Sequence, residues 1–271
     1  MRRVTDYAEV KALTSMALRR RAVTNCIALG DELAREVSLG SLYLDEWEGG
    51  ALLAKRRGGF DVISLFVFDP TTQIPRLGSD GVCEIVFDPK GKSRAELLEG
   101  LLLACGFEPS PRRMRLTSER AADSEAPEHI LTFDSAHLTT VSAFLEENFD
   151  PRLGCIPSLR VLSEELAAGC FHGISDGAGI ASLIHVRGSE INHLATRRDC
   201  RGKGYAKALV QFASRNRTGK RMQVWCTEDN IAAKNTYLSC GFIPDGYSSL
   251  VLQYRVGVTD ETEENSTLLH I

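Results

Sequence analysis

The sequence predicts an α/β protein built of two similar units, and three observations carry that prediction. Stretches suited to strands alternate with stretches whose apolar residues recur at helical spacing, as where Glu190–Thr196 is followed by Tyr205, Ala208, Leu209 and Phe212. In the first half, strand-like runs are joined by the short turns Gly49-Gly50 and Gly58-Gly59, which suits an antiparallel meander. Finally, Cys105-Gly106-Phe107-Glu108-Pro109 recurs as Cys240-Gly241-Phe242-Ile243-Pro244, 135 residues later, each time after a strand and a helix and before a strand.

At 271 residues the chain has room for two domains, and 43% hydrophobic with 25% charged residues is an ordinary globular composition. A net charge of -4 and a pI near 5.9 give no overall attraction to nucleic acid or to an anionic membrane. The local clusters Arg19-Arg20-Arg21 and Arg112-Arg113 read as solvated faces. No apolar run is long enough to span a bilayer, and Asp6, Glu9 and Lys11 stand where a signal peptide would need an apolar core, so a cytoplasmic location is expected. The eight cysteines form no C-x-x-C pair and lie in apolar stretches, which predicts buried thiols rather than disulfides or metal ligands.

Taken in order, Asp6–Arg20 predicts an amphipathic helix with Val10, Leu13, Met16 and Ala17 on one stripe and Thr5 or Asp6 as its cap. A short helix over Asp31–Val37 should stop near Gly40. Strands follow at Ser41–Trp47, Ala51–Arg56 and Phe60–Phe68, then a loop to Gly81, a strand over Val82–Phe87, and a helix over Ser93–Ala104 with Ser93 and Glu96 as a capping box. Arg113–Thr117 suits another strand. Gly91-Lys92-Ser93 ends like a phosphate-binding P-loop, but the upstream glycine would fall at Val86, so it reads as a helix start.

Ser118–Glu128 is polar and rich in Ala, Ser and Glu, a linker composition. Beyond it come a strand at Ile130–Phe133, a helix over Asp134–Asn148 with Leu138, Val141, Phe144 and Leu145 inward, and a helix over Ser158–Ala168 closed by Gly169. Cys170–Ser175 and Gly179–Arg187 form a hairpin about Asp176-Gly177. Gly173-Ile174-Ser175-Asp176-Gly177 matches a serine nucleophile elbow, yet a strand rather than a helix follows it, so it is a turn.

Between the strand Glu190–Thr196 and the helix Gly202–Asn216 lies Arg201-Gly202-Lys203-Gly204-Tyr205-Ala206. Two glycines let the backbone press close to a ligand, and the free amides of a helix start favour an anion, most simply a phosphate. Arg201 and Lys203 add two cations, which suits a pyrophosphate.

Arg201-x-x-Gly204-x-Ala206 resembles the acetyl-CoA signature of the GNAT superfamily of N-acetyltransferases: Gln or Arg, two residues, Gly, one residue, Gly or Ala. A second pattern of that family follows in order, with Asn230, Ala233, Tyr237 and Gly241-Phe242 placed after a strand at Arg221–Cys226. The resemblance implies two GNAT-like units, each a mixed, mostly antiparallel central sheet flanked by helices. Residues 1–120 would be a degenerate unit without the CoA motif, 129–257 the catalytic domain, and 258–271 a polar tail.

It implies acetyl-CoA as cosubstrate, with its pyrophosphate on Arg201, Gly202, Lys203, Gly204, Tyr205 and Ala206 and its pantetheine and carbonyl on the backbone of Leu194, Ala195 and Thr196. Asn230, Ala233 and Tyr237 fall on one helix face along the ligand, and Tyr237 matches the family's general acid. Glu190 matches the carboxylate that some members use as base, though it could equally be a surface residue after Gly188-Ser189. Strand alternation turns His193 to the opposite face from Glu190, and His185 and His193 are weaker candidates for the base.

The implied reaction moves an acetyl group to a primary amine, on a small molecule or a peptide, by direct attack in a ternary complex. A non-catalytic acyl-CoA-binding or sensor protein is the alternative. Tandem relatives that take amino acids from tRNA fit poorly, because the CoA motif is intact and the chain acidic. No nucleic acid, membrane or metal is expected as a partner, and the first half could cover the acceptor side or form a homodimer.

Overall fold

A computed structural model describes residues 1–26, 28, 30–119, 129–154, 156–217, 219 and 221–257. The expected linker, beyond its first two residues, and the expected tail lie outside the described residues. The chain divides into two compact units, Met1–Arg112 with the segment from Ser248 onward, and Arg113–Tyr247.

In the first unit, helix α1 (Tyr7–Arg20) starts at an Asp6 capping box completed by Glu9 and buries Val10, Leu13 and Ala17. Helix α2 (Gly30–Ser38) follows. Strands β3 (Leu42–Trp47), β4 (Gly50–Arg57) and β5 (Phe60–Val67) form the antiparallel meander, and β6 (Gly81–Phe87) joins β5 in parallel. Three two-residue strands, β1 (Arg2–Arg3), β2 (Val23–Thr24) and β7 (Glu108–Pro109), add to its edges and flank. Helices α1 and α2 cover one face over Leu42, Leu53 and Phe66. Helix α3 (Lys92–Ala104) covers the other with Leu98 and Leu102 over Leu65 and Ile85.

The capping box expected at Ser93 does not form. The Asp88 carboxylate accepts the amides of Lys90 and Gly91 and turns the chain early, so α3 is capped by Gly91 without a side-chain bond and Ser93 lies inside it.

In the second unit, β9 (Leu131–Phe133), β10 (Phe171–Asp176), β11 (Gly179–Arg187) and β12 (Glu190–Thr196) run antiparallel in that order. Strand β13 (Met222–Thr227) pairs with β12 in parallel and with β8 (Arg113–Ser118) antiparallel. Helices α4 (Leu138–Asn148) and α5 (Leu159–Ala167) pack on Phe171 and Leu183. Helices α6 (Tyr205–Arg215) and α7 (Ile231–Ser239) pack with Ile184, Ile191 and Val224 on the opposite face.

Two strands change the division expected from sequence. Strand β8 pairs with β13 over six residues, so it belongs with the second unit although it precedes the linker. Strand β14 (Ile243–Tyr254) starts in the second unit, and from Ser248 onward it pairs with β6 in the first.

The repeated motif has one geometry in both places. Gly106 and Gly241 sit at φ of 89° and 82°, and the amides of Phe107 and Phe242 close onto Leu102 and Tyr237 at 3.1 Å. Both phenylalanines are buried, and only glycine takes such φ freely. The parallel ladders also match: Asp61↔Gly81 and Val62↔Val82 in one unit, Glu190↔Gln223 and Ile191↔Val224 in the other. No helix occupies 69–80, where the second unit has α6.

Candidate functional site

The site is organised by the short ladder between β12 and β13. Parallel pairing ends at Ile191↔Val224, so among the described residues the backbone of 192–196 that faces away from β11 has no strand to bond. Opposite β11 the register slips between His185↔His193 and Val186↔Ile191, which leaves Asn192 as a β-bulge. Leu194, Ala195 and Thr196, all half-buried, follow the bulge along the open side. The Ala195 carbonyl accepts from the Ser182 hydroxyl at 3.0 Å, and the Thr196 carbonyl from Arg201 Nε at 3.2 Å.

The loop from 197 to 204 is pinned at its root. The Arg197 guanidinium spans Asp176 and Asp199 at 2.7 Å each and also reaches the Ile180 carbonyl. That guanidinium, with the Ala178 amide, holds the Asp176 carboxyl down to about 2. Arg197 was missed in the sequence because no motif marks it; the signal is its contact with the β10–β11 turn.

Gly202 and Gly204 adopt φ of 77° and 82°, and a Cβ at either would meet no atom within 4 Å, so the loop opens to free space. Helix α6 starts at Tyr205 rather than Gly202, because Gly204 is its cap in the left-handed region. Among the described residues, no backbone carbonyl accepts the amides of 202–206. Arg201 and Lys203 are exposed beside them.

Tyr237 lies on α7 in the cluster that includes Ile191, Leu194 and Cys226, with its ring 5.7 Å from Phe242. It is 4% exposed, and burial pushes its phenol well above the ordinary value. Its hydroxyl has no hydrogen-bond partner among the described residues. Asn230 is the cap of α7, its side-chain oxygen accepting the Ala233 amide at 3.1 Å.

Glu190 is half-buried at the closed end of the ladder, and its carboxylate has no hydrogen-bond partner among the described residues. His193 corrects the expectation from alternation. Ile191 faces α6, so Glu190 faces the other way, and the bulge at Asn192 returns His193 to the Glu190 side, edge-on to Phe149 at 4.9 Å. Among the described residues no cluster of three or more His, Cys, Asp or Glu gathers as a metal site, and no helix is long and apolar enough to cross a membrane.

Residues 121–242 match the family model described as acetyltransferase (GNAT) family. A sequence comparison with curated proteins finds no match. Among solved structures, a GCN5-related N-acetyltransferase from Sphaerobacter thermophilus is 16% identical with a TM-score of 0.54, covering 84% of this chain and 86% of that one. An acetyltransferase from the GNAT family from Colwellia psychrerythraea is 11% identical with a TM-score of 0.54, covering 94% and 99%. These identities show the fold, and the family match shows that the domain at 121–242 belongs to the acetyltransferase (GNAT) family.

Proposed function

We propose that this chain, with a GNAT acetyltransferase domain at its core, transfers an acetyl group from acetyl-CoA to a primary amine by direct attack in a ternary complex. The observation that carries the reading is the opening of β12 from β13 after Ile191, ahead of a glycine loop whose amides meet no backbone acceptor among the described residues. A pantetheine arm would take the place of the missing strand against Leu194–Thr196, and the pyrophosphate would meet the amides of 202–206 with Arg201 and Lys203. The acyl carbon would then lie near the closed end, beside Glu190 and Tyr237. The amine nitrogen forms the C–N bond as the C–S bond breaks; Glu190, directly or through water, takes the amine's proton, and Tyr237 gives one to the leaving thiolate.

The first unit repeats the architecture without a glycine loop or helix at 69–80, which supports a tandem arrangement with one CoA site. The buried setting of Tyr237 favours a second reading, CoA binding without turnover, because a phenol raised by burial is a weaker acid. Release of free thiol from acetyl-CoA, screened against panels of primary amines, separates the two. Thiol release that depends on an amine is the expected result; tight CoA binding with no release across the panel leaves the binding-only reading standing.

A further inference from the structure

In the second unit, a chain of polar contacts that the proposed reaction does not use crosses the sheet beneath β11 and β12. Arg187 lies 3.5 Å from Glu165 Oε1 on α5, and Glu165 Oε2 lies 3.3 Å from His185 Nε2. His185 Nδ1 lies 3.1 Å from His193 Nδ1, and His193 Nε2 lies 2.7 Å from the Gly154 carbonyl in the loop after α4. The rings of His185 and His193 are 2% and 3% exposed, with His185 stacked on Phe171 at 4.0 Å.

Proton bookkeeping along this chain has few solutions. A carbonyl only accepts, so His193 Nε2 carries a hydrogen and donates to Gly154. In the neutral ring His193 Nδ1 is then a lone pair, which obliges His185 Nδ1 to donate to it. The remaining nitrogen, His185 Nε2, faces a carboxylate oxygen at 3.3 Å off the ideal hydrogen-bond line. Two lone pairs sealed together there would repel, and a proton between them turns repulsion into an ion pair.

We propose that His185 is an imidazolium at neutral pH, paired with Glu165, and that it fixes His193 as the neutral Nε2–H tautomer, which latches the loop after α4 to the central strand. The charged and titratable groups around the two histidines are Glu165 on α5, Arg187 on β11, Glu190 on the same side of β12 as His193, and the thiol of Cys170 next to Glu165. Arg187 favours the ionised carboxylate, and the Cys170 thiol is raised by burial and stays neutral. The alternative charge state, His193 as the cation, would place the charge farther from Glu165. On the proposed function, the latch holds a loop beside the stretch of β12 that opens from β13; the protonation pattern itself does not depend on that function.

Nitrogen-detected NMR of the imidazole rings in the full-length protein tests the proposal. At neutral pH both ring nitrogens of His185 should be protonated, and His193 should show Nε2–H alone. A neutral His185, or a His193 protonated at Nδ1, overturns it. His193→Phe keeps a ring against Phe149 and removes the latch, so amide exchange at Leu153 and Gly154 should quicken about fivefold or more. Unchanged exchange overturns the latch. Should that variant fail to fold, Glu165→Gln should leave His185 neutral at neutral pH, and a ring that keeps its charge there overturns the ion pair. CoA affinity measured on the same samples reports separately on the proposed function.

Discussion

Tyr237 places a single hydroxyl inside an apolar cluster, and Tyr237→Phe removes that group while keeping the ring that packs on Phe242. CoA affinity should hold and kcat should fall by about 10² to 10⁴, the contribution of a positioned acid. An unchanged kcat, with chemistry shown to limit the rate, would assign the side chain to the core. His193 gives a second residue-scale expectation. Burial and the neighbouring His185 lower it to about 4 from an ordinary 6.5. Between those values the unfolded chain binds a proton that the folded chain refuses, so stability is unaffected above the ordinary value and falls as pH drops toward the lower one. The full penalty is about 3 kcal/mol. Urea midpoints measured across that range should decline toward acid, and His193→Phe should flatten the decline. At this scale the sequence was legible where a motif ties residues to a backbone geometry, as at Gly204 and Gly241. It was illegible where the role depends on a partner far along the chain. Asn230 matches the family pattern and also caps α7, and only the bulge at Asn192 decides which way His193 points.

In the loop between β12 and α6 two residues hold a left-handed backbone, and among the described residues no backbone carbonyl accepts the amides of 202–206. Gly204→Ala meets no atom, so its cost is the backbone alone, about 1–2 kcal/mol. Arg201→Glu combined with Gly204→Asp removes a cation and adds two negative charges at the proposed anion site, and breaks the Arg201 bond to the Thr196 carbonyl. Calorimetry should find CoA binding abolished while far-UV circular dichroism shows the fold intact; retained affinity would remove the phosphate site from 201–206. Elements with several turns or alternations were readable in sequence because periodicity accumulates over their length, as in α1, β5 and α6. The strands β1, β2 and β7 have two residues each and carry no period to read. Helix starts were misplaced where the cap is a glycine, since neither Gly91 nor Gly204 announces itself as a side-chain cap would.

At the scale of the whole molecule, composition and the repeat indicate two units, but their boundaries depend on strand pairing that no local pattern encodes. A cut placed in the polar stretch after Ser118 assigns β8 to the wrong unit. Strand β8 supplies Leu116 to the core of the second unit, pairs with β13 from Arg113 to Ser118, and brings Arg115 to Asp245 at 2.8 Å, between the rings of Tyr247 and Trp225. Without it, β13 becomes an edge with unpaired backbone groups, and the mostly buried Asp245 loses one of the two guanidinium partners it has among the described residues, keeping Arg221 and the Tyr247 amide. Losing Leu116 alone is worth about 2–5 kcal/mol, against a total stability of about 5–15 kcal/mol for a typical domain. A fragment spanning 113–247 should therefore unfold cooperatively in urea and bind CoA, and one spanning 129–247 should do neither. Cooperative unfolding with undiminished CoA affinity in the shorter fragment would show that β8 is dispensable and return the boundary to the polar stretch.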